Sequence, residues 1–287
     1  MSKFKLGWFS TGRDKAAGDL LEIVLKDIEK GVITGGEVSF VFCSREEGED
    51  LESDEFINYV REKNIPLVCF SSAKFKPELR KKGLKEEKKG NLKLIQDWRL
   101  FYDREVLKLL FPFDHDLIVL AGYMLVVGEE MCRKYRMVNL HPARPGGPKG
   151  SWQEVIHELM LQRASKTGVM MHLVTPELDE GPPVTYCNFN IKNGVFSSLW
   201  KELDDLISRD PDFLIKGGVK AAQMTPLFKQ IREEGLAREF PLISYTVKVF
   251  AEGKVKIQDG GVIDSEGSEL TKGYDLTAMI DNILANN

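Results

Sequence analysis

Asn139-Leu140-His141-Pro142 closes an apolar run with an amide and an imidazole two residues apart. Side chains alternate along a strand, so positions 139 and 141 share one side. Pro142 ends any ladder there, and Gly146, Gly147 and Gly150 shape the loop after it. An amide and an imidazole then face one space beyond a strand's carboxyl end, where open α/β sheets place ligands. A free histidine titrates at about 6.5 and needs a nearby carboxylate to stay protonated at neutral pH. Asp179, in the segment His172 to Pro182, is a carboxylate of that kind. The competing readings are a hydrogen-bonded core histidine at 141 and a turn residue at 179, ahead of Gly181-Pro182. A second cluster, Ser10-Thr11-Gly12-Arg13, joins a strand-like run to a helical one. Helix N-termini attract anions, and Gly12 lets backbone approach a phosphate. A plain strand–helix turn explains those residues equally well. His172 reads as structural, and His115 and His157 carry no assigned role.

These residues need a scaffold. Runs 5–9, 38–43, 66–70, 117–121 and 137–140 are short, apolar and β-branched or aromatic. Between them, 19–28 carries Leu20, Leu21, Val24, Leu25 and Ile28 at helical spacing, and a short helix begins at Phe56. Residues 91–110 form a long helix with Leu94, Ile95, Trp98, Tyr102, Val106 and Leu109 on one face. Strands alternating with helices imply an α/β fold with a parallel sheet. Such sheets bind ligands beyond their carboxyl ends, where 139 and 141 lie. The Lys- and Arg-rich stretch 74–90 reads as a solvated helix with flanking loops, the alternative being a flap that attracts phosphate or polyglutamate. Further on, 151–163 is helical, 169–174 and 184–190 are strands, 196–250 is mostly helical, and 254–263 is a hairpin around Asp259-Gly260-Gly261. No repeat or Pro- or Ser-rich linker interrupts the 287 residues. The expectation is a single domain with halves 1–135 and 136–287.

Composition narrows the classes. Hydrophobic residues make up 43% and charged residues 29%, so a disordered or low-complexity chain is excluded. The net charge of −4 supplies no global basic field for nucleic acid. Cys43, Cys69, Cys132 and Cys187 are scattered, which speaks against a disulfide framework or zinc ribbon, and no strong metal spacing occurs. No run approaches the roughly 20 apolar residues of a membrane span. A cytoplasmic protein without a bound metal, membrane or nucleic-acid partner is expected; its oligomeric state is left open.

Longer motifs sharpen the picture. His115 to Met124 resembles a D-x-x-V-L-A-G-[FY]-M strand and loop. Asn139-x-His141-Pro142 resembles an N-x-H-P core, and His172 to Pro182 an H-x-V-x-x-x-L-D-x-G-P segment. Arg99 to Asp103 resembles R-x-x-Y-D, while Phe240-Pro241-Leu242-Ile243 and Phe250 to Lys254 resemble Y-P-L-V and F-A-D-G-R. These are motifs of the glycinamide ribonucleotide formyltransferase family. The G-P ending favours it over methionyl-tRNA formyltransferases.

The resemblance implies a Rossmann-like fold, a mostly parallel twisted sheet flanked by helices with a helical C-terminal part and a terminal hairpin. It also implies an enzyme that moves a formyl group from 10-formyltetrahydrofolate to an amine, with glycinamide ribonucleotide in purine synthesis as the default acceptor. It makes His141 the proton donor, Asn139 the amide holding the formyl oxygen, and Asp179 the carboxylate that raises the histidine pKa and orders water. It gives folate contacts to Met124, Leu125, Val126, Val127, Asn139, Val174, Thr175 and Leu178, and the glutamate tail to Arg99. Substrate phosphate falls to Thr11, Gly12 and Arg13. The departures lie mainly on the acceptor side. The G-x-G-S-N phosphate loop is replaced by Thr11 to Asp19, leaving Arg13 or Lys15 for the phosphate, and the acceptor-binding E-H by Leu236-Ala237, with Glu233 or Glu234 close by for the amine side. Leu125 stands where an arginine is usual, Ala143 to Gly146 replace S-L-L-P, and residues 196–229 look inserted. Alternatives are formylation of another small amine such as an aminosugar nucleotide, hydrolysis of formyltetrahydrofolate, or a non-catalytic folate- or nucleotide-binding protein.

Overall fold

A computed structural model describes residues 3–286. They divide into two compact units. The first holds the chain up to Asn139 together with Leu173–Gly181 and Val247–Ile257; the second holds Leu140–His172, Pro182–Thr246 and Gln258 onward.

The first unit contains β1 (Phe4–Ser10), α1 (Lys15–Glu29), β2 (Gly36–Cys43), α2 (Leu51–Glu62), β3 (Leu67–Cys69), α3 (Pro77–Glu87), α4 (Lys93–Leu110), β4 (Leu117–Leu120), α5 (Glu129–Lys134) and the start of β5 (Met137–His141). Its strands lie in the order β5-β4-β1-β2-β3, and every pairing is parallel. Parallel strands are covered on both faces, which is why β4 is buried along its whole length. On α1, Leu20, Leu21 and Val24 turn inward as their spacing requires. The face of α4 differs from expectation. Ile95, Trp98, Tyr102, Val106 and Leu110 are buried, whereas Leu109 is 41% exposed and Leu94 half-exposed. By helical angle 109 falls between 98 and 102, so periodicity does not separate it from the buried residues; it lies in the last turn of α4. Similarly, α2 begins at Leu51, ahead of the expected Phe56, because its first turn is polar and gives no apolar period to read.

Strand order reverses at β1, which has β2 on one side and β4 on the other. This is the topological switch point at which open α/β sheets bind ligands.

The second unit contains the end of β5, α6 (Trp152–Leu161), β6 (Lys166–Leu173), β7 (Pro183–Asn190), α7 (Val195–Arg209), α8 (Phe213–Gln223), most of α9 (Pro226–Ala251), β9 (Gly261–Asp264), β10 (Tyr274–Asp275) and α10 (Thr277–Ala285). β7 pairs antiparallel with β6 and parallel with β10. α6 opens on a capping box: Ser151 Oγ accepts the Glu154 N–H, and Glu154 accepts the Ser151 N–H at 2.8 Å. Val155, Ile156, Leu159, Phe196, Trp200, Leu203, Leu214 and Phe228 share one apolar cluster, which packs α6, α7, α8 and α9 together. The strand β8 (Val255–Gln258) leads into β9 through Asp259 and Gly260 at φ 50° and 77°. That is the two-residue turn with two positive φ values expected of a hairpin.

Candidate active site

The β1 turn and the loop after β4 are tied together at the switch point. The Thr11 N–H donates to the Gly122 carbonyl at 3.1 Å, and Thr11 Oγ1 accepts the Met124 N–H at 2.9 Å. Thr11 Oγ1 also lies 2.9 Å from Ser44 Oγ, a group just beyond β2. Gly12 has φ 59°, and a Cβ there would stand 3.1 Å from the backbone of Ser53 and from the Phe56 side chain. Only glycine passes this close to α2 with that backbone. Its N–H donates to Ser10 Oγ at 3.1 Å. The N–H groups of Thr11 and Gly12 are therefore spent inside the protein. Arg13 is exposed and reaches Met124 Sδ at 3.3 Å, while Lys15 is ion-paired with Asp19. The next hollow, between α1 and α2, is lined by the ion-paired Lys15 and by five carboxylates, Asp14, Asp19, Glu22, Glu52 and Glu55. Such a wall repels phosphate.

Residues 121–128 alternate between core and surface. Tyr123 and Val127 are buried in the cluster under the sheet, Leu125 packs against it, Val126 is half-buried, and Met124 is 54% exposed. The loop is held from below by Asp103 on α4, whose carboxylate accepts the Gly128 N–H at 2.6 Å. Burial pushes the Asp103 carboxyl up to about 7, against that hydrogen bond and the charge of Arg99. The sequence sets Asp103 inside a motif but points to no role for it. The readable signal is an acid next to Tyr102 on the buried side of an otherwise apolar helix. Arg99, one turn earlier, is ion-paired with Glu87 at the end of α3, 2.9 Å away, and both are largely shielded.

Asn139 ends the first unit, paired across the sheet with Leu120 and half-buried. The Val174 N–H donates to the Met137 carbonyl at 2.9 Å, and Val174 packs on the same core cluster. This anchors one end of the loop 174–181. Thr175 Oγ1 caps the Glu177 carbonyl at 3.0 Å, Leu178 is 60% exposed, and Asp179 is half-buried with φ 55°. The loop closes at Gly181, where a Cβ would come within 1.7 Å of the Leu173 carbonyl oxygen. That contact is the physical reason for a glycine two residues after the aspartate. Within this unit the structure thus brings Asn139, Val174 and the loop bearing Thr175, Leu178 and Asp179 onto one scaffold.

His141 belongs to the second unit and is 2% exposed. Its Nε2 lies 3.0 Å from the Pro148 carbonyl, so that nitrogen carries a proton and donates it. The His172 ring stands 6.0 Å away, edge to face. His157 bonds the Leu214 carbonyl at 3.0 Å and His115 the Phe113 carbonyl at 3.2 Å, both local structural contacts. On α9, Glu234 is ion-paired with Arg238, Glu233 is exposed, and buried Glu239 is paired with Arg232 at 2.7 Å. Among the described residues no group of three or more His, Cys, Asp or Glu side chains is arranged to hold a metal.

Phosphoribosylglycinamide formyltransferase of Schizosaccharomyces pombe is 30% identical over 90 residues, 29% of this chain and 44% of that protein. The Saccharomyces cerevisiae protein of the same name is 29% identical over 124 residues, 39% and 55% of the respective chains. The chain thus spans about half the length of the curated relatives it matches. The fold is shared over 96% of the chain with the phosphoribosylglycinamide formyltransferase of Coxiella burnetii, with TM-score 0.63, 18% identity and 99% of that structure covered. It is shared over 92% with a formyltetrahydrofolate deformylase of Pseudomonas syringae, with TM-score 0.57, 15% identity and 66% of that structure covered. The formyl transferase family profile matches residues 16–195, which include β4, β5 and the 174–181 loop. With that span covering well over half of its length, the chain belongs to the formyl transferase family.

Proposed function

We propose that the protein transfers a formyl group from 10-formyltetrahydrofolate to the amine of glycinamide ribonucleotide. The observation that carries the reading is Asn139 and His141 at the carboxyl end of β5, inside the region that matches the formyl transferase family. The acceptor is named from the relatives, which carry the name phosphoribosylglycinamide formyltransferase.

In this reading the amine nitrogen attacks the formyl carbon. A C–N bond forms, and the carbonyl oxygen takes the negative charge. The Asn139 amide and the His141 imidazolium donate to that oxygen, which is where fixed donors lower a barrier most. Collapse breaks the bond from carbon to the folate nitrogen, and that nitrogen gains the proton the amine loses. Asp179 favours the protonated imidazole by its charge and orders the water that relays the proton. The exposed apolar side chains of Met124 and Leu178 suit a flat aromatic ring. Arg99 supplies a cation for the glutamate carboxylate. No step uses a metal or a covalent enzyme intermediate.

The test is an acceptor screen. The protein is incubated with 10-formyltetrahydrofolate and glycinamide ribonucleotide, an aminosugar nucleotide, or no amine, and the released tetrahydrofolate and the formylated product are measured. Formylated glycinamide ribonucleotide is the expected product. Formate released without an amine would identify a hydrolase instead, and no turnover in any arm would leave a binding protein. The reading also entails a cytoplasmic location, checked by cell fractionation. Among the described residues no helix is long and apolar enough to cross a membrane.

A further inference from the structure

We propose that Cys43 and Cys69 form a reversible dithiol–disulfide site that hydrogen peroxide oxidises, and that its oxidation loosens the 121–128 loop. The two cysteines are distant in sequence and meet only in the sheet. Cys43 ends β2, Cys69 ends β3, and they are direct partners in the parallel pairing of those strands. The register is pinned on both sides. The Val41 N–H donates to the Pro66 carbonyl at 2.8 Å, and the Phe70 N–H to the Cys43 carbonyl at 3.0 Å. Partners in register project to the same face of a sheet. Phe42 and Val68, one position earlier, join the apolar cluster, so both thiols point to the opposite face. Neighbouring strands lie about 4.7–4.9 Å apart, inside the roughly 4.4–6.8 Å between Cα atoms that a disulfide spans.

The two sulfurs are placed for different roles. β3 is the last strand on its side of the sheet, and Cys69 is half-buried there, whereas Cys43 is fully buried. The Cys43 thiol donates a hydrogen bond to the Cys69 sulfur, which holds the Cys69 pKa below its ordinary value. The charge of Arg61 on α2 adds to this, with burial and the charges of Glu46 and Glu47 opposing. The same hydrogen bond, together with burial, pushes the Cys43 thiol well up, so it keeps its proton. Burial pushes Cys132 and Cys187 up to about 12. Among the four cysteines, thiolate character and access coincide only at Cys69.

The Cys69 thiolate attacks one peroxide oxygen. An S–O bond forms, the O–O bond breaks, and the departing hydroxide takes up a proton to become water. Cys69 is then a sulfenic acid. The Cys43 sulfur attacks it, an S–S bond forms, the S–O bond breaks, and hydroxide leaves as water with the Cys43 proton. Two thiols lose two electrons and the peroxide gains them. The bond draws the sulfurs to about 2.05 Å, which a fully buried, close-packed Cys43 meets only by a shift at the ends of β2 and β3. Ser44 follows Cys43 directly. Its N–H donates to the Ser10 carbonyl at 3.1 Å, and its Oγ lies 2.9 Å from Thr11 Oγ1, the acceptor of the Met124 N–H. A shift at Cys43 therefore reaches the loop through Ser44 and Thr11.

The experiment treats the full-length protein with hydrogen peroxide and maps its peptides without reduction. The expected product is a chain lighter by two hydrogens, with Cys43 joined to Cys69 and both thiols recovered by dithiothreitol. Before oxidation, iodoacetamide at neutral pH should label Cys69 about tenfold faster than Cys132 or Cys187. In Cys43→Ser, peroxide should leave Cys69 as a sulfenic acid that dimedone traps. The Met124 amide should exchange with deuterium about tenfold faster in the oxidised than in the reduced protein. Four thiols remaining after peroxide, a cross-link through Cys132 or Cys187, or fastest labelling at either of those overturns the site. A 43–69 disulfide with unchanged Met124 exchange overturns the coupling to the loop. The peptide map and the labelling need no variant, so a misfolded Cys43→Ser leaves the test intact. None of these readouts uses folate or an amine, so their outcome is independent of the proposed formyl transfer.

Discussion

The Asp103 carboxylate accepts the Gly128 backbone N–H at 2.6 Å and so fixes the end of the 121–128 loop to α4. Burial holds this carboxyl at about 7 in the folded chain, against about 3.9 when unfolded. Between those values the native state binds more protons than the unfolded state, so stability falls as pH rises from about 4 to about 7. Asp103→Asn keeps a hydrogen-bond acceptor and removes the titration. In urea unfolding from pH 4 to 8, the wild type should lose stability relative to the variant, by up to roughly 1.4 kcal/mol per pH unit in that window. A constant gap between the two curves would mean that Asp103 stays ionised throughout.

Asp179 sits at φ 55°, a conformation Asn shares more readily than other residues. Asp179→Asn should therefore fold normally, while Asp179→Ala adds about 1–2 kcal/mol of backbone strain. If the carboxylate serves His141 in the reaction, kcat of Asp179→Asn should fall by about 10²–10⁴ with folate binding nearly unchanged. His141→Ala should lose a similar factor, and the double variant little more than either. Near-normal kcat in Asp179→Asn, or strictly additive losses, would reduce Asp179 to a turn residue.

Arg99 is ion-paired with Glu87, and in the proposed reaction it also meets the folate carboxylate. Arg99→Ala should weaken folate several-fold, since a charged hydrogen bond in a shielded place is worth about 1.5–3 kcal/mol. Glu87→Gln should act in the opposite direction, because it frees the guanidinium from a competing carboxylate. Calorimetric titration with tetrahydrofolate separates these outcomes, and a weaker Glu87→Gln complex would place the tail elsewhere.

For the acceptor, the internal bonds of Thr11 and Gly12 and the Lys15–Asp19 pair leave Arg13 as the exposed cation of the β1 turn. Arg13→Ala should raise the acceptor KM, whereas Lys15→Ala should change it little. On α9, Glu234 is engaged by Arg238, so Glu233→Ala is expected to affect the acceptor more than Glu234→Ala. Steady-state kinetics at saturating folate decides this; an unaltered KM in Arg13→Ala and Glu233→Ala together would remove both from the acceptor site.

Periodicity alone exposed the alternation of strands and helices, because burial on one or both faces leaves a pattern of period 3.6 or an unbroken apolar run. Asn139, His141 and the L-D-x-G-P segment were legible too, since local chemistry sets their residue types: an alternating strand end, a residue tolerant of positive φ, and a glycine pressed against the Leu173 carbonyl. The 121–128 loop was legible as a motif, but its anchor was not. Gly128 and Asp103 are 25 residues apart, and nothing local marks their pairing. Glu87 and Arg99 likewise meet only because Gly83 lets α3 lie close on α4. The turn at Thr11 shows the same limit. From sequence its N–H groups were free to bind an anion; in the fold Gly122 and Ser10 accept them, and an acidic wall lies next to them. Which donors, cations and carboxylates remain available to a ligand depends on contacts between distant segments, and tertiary structure alone decides those.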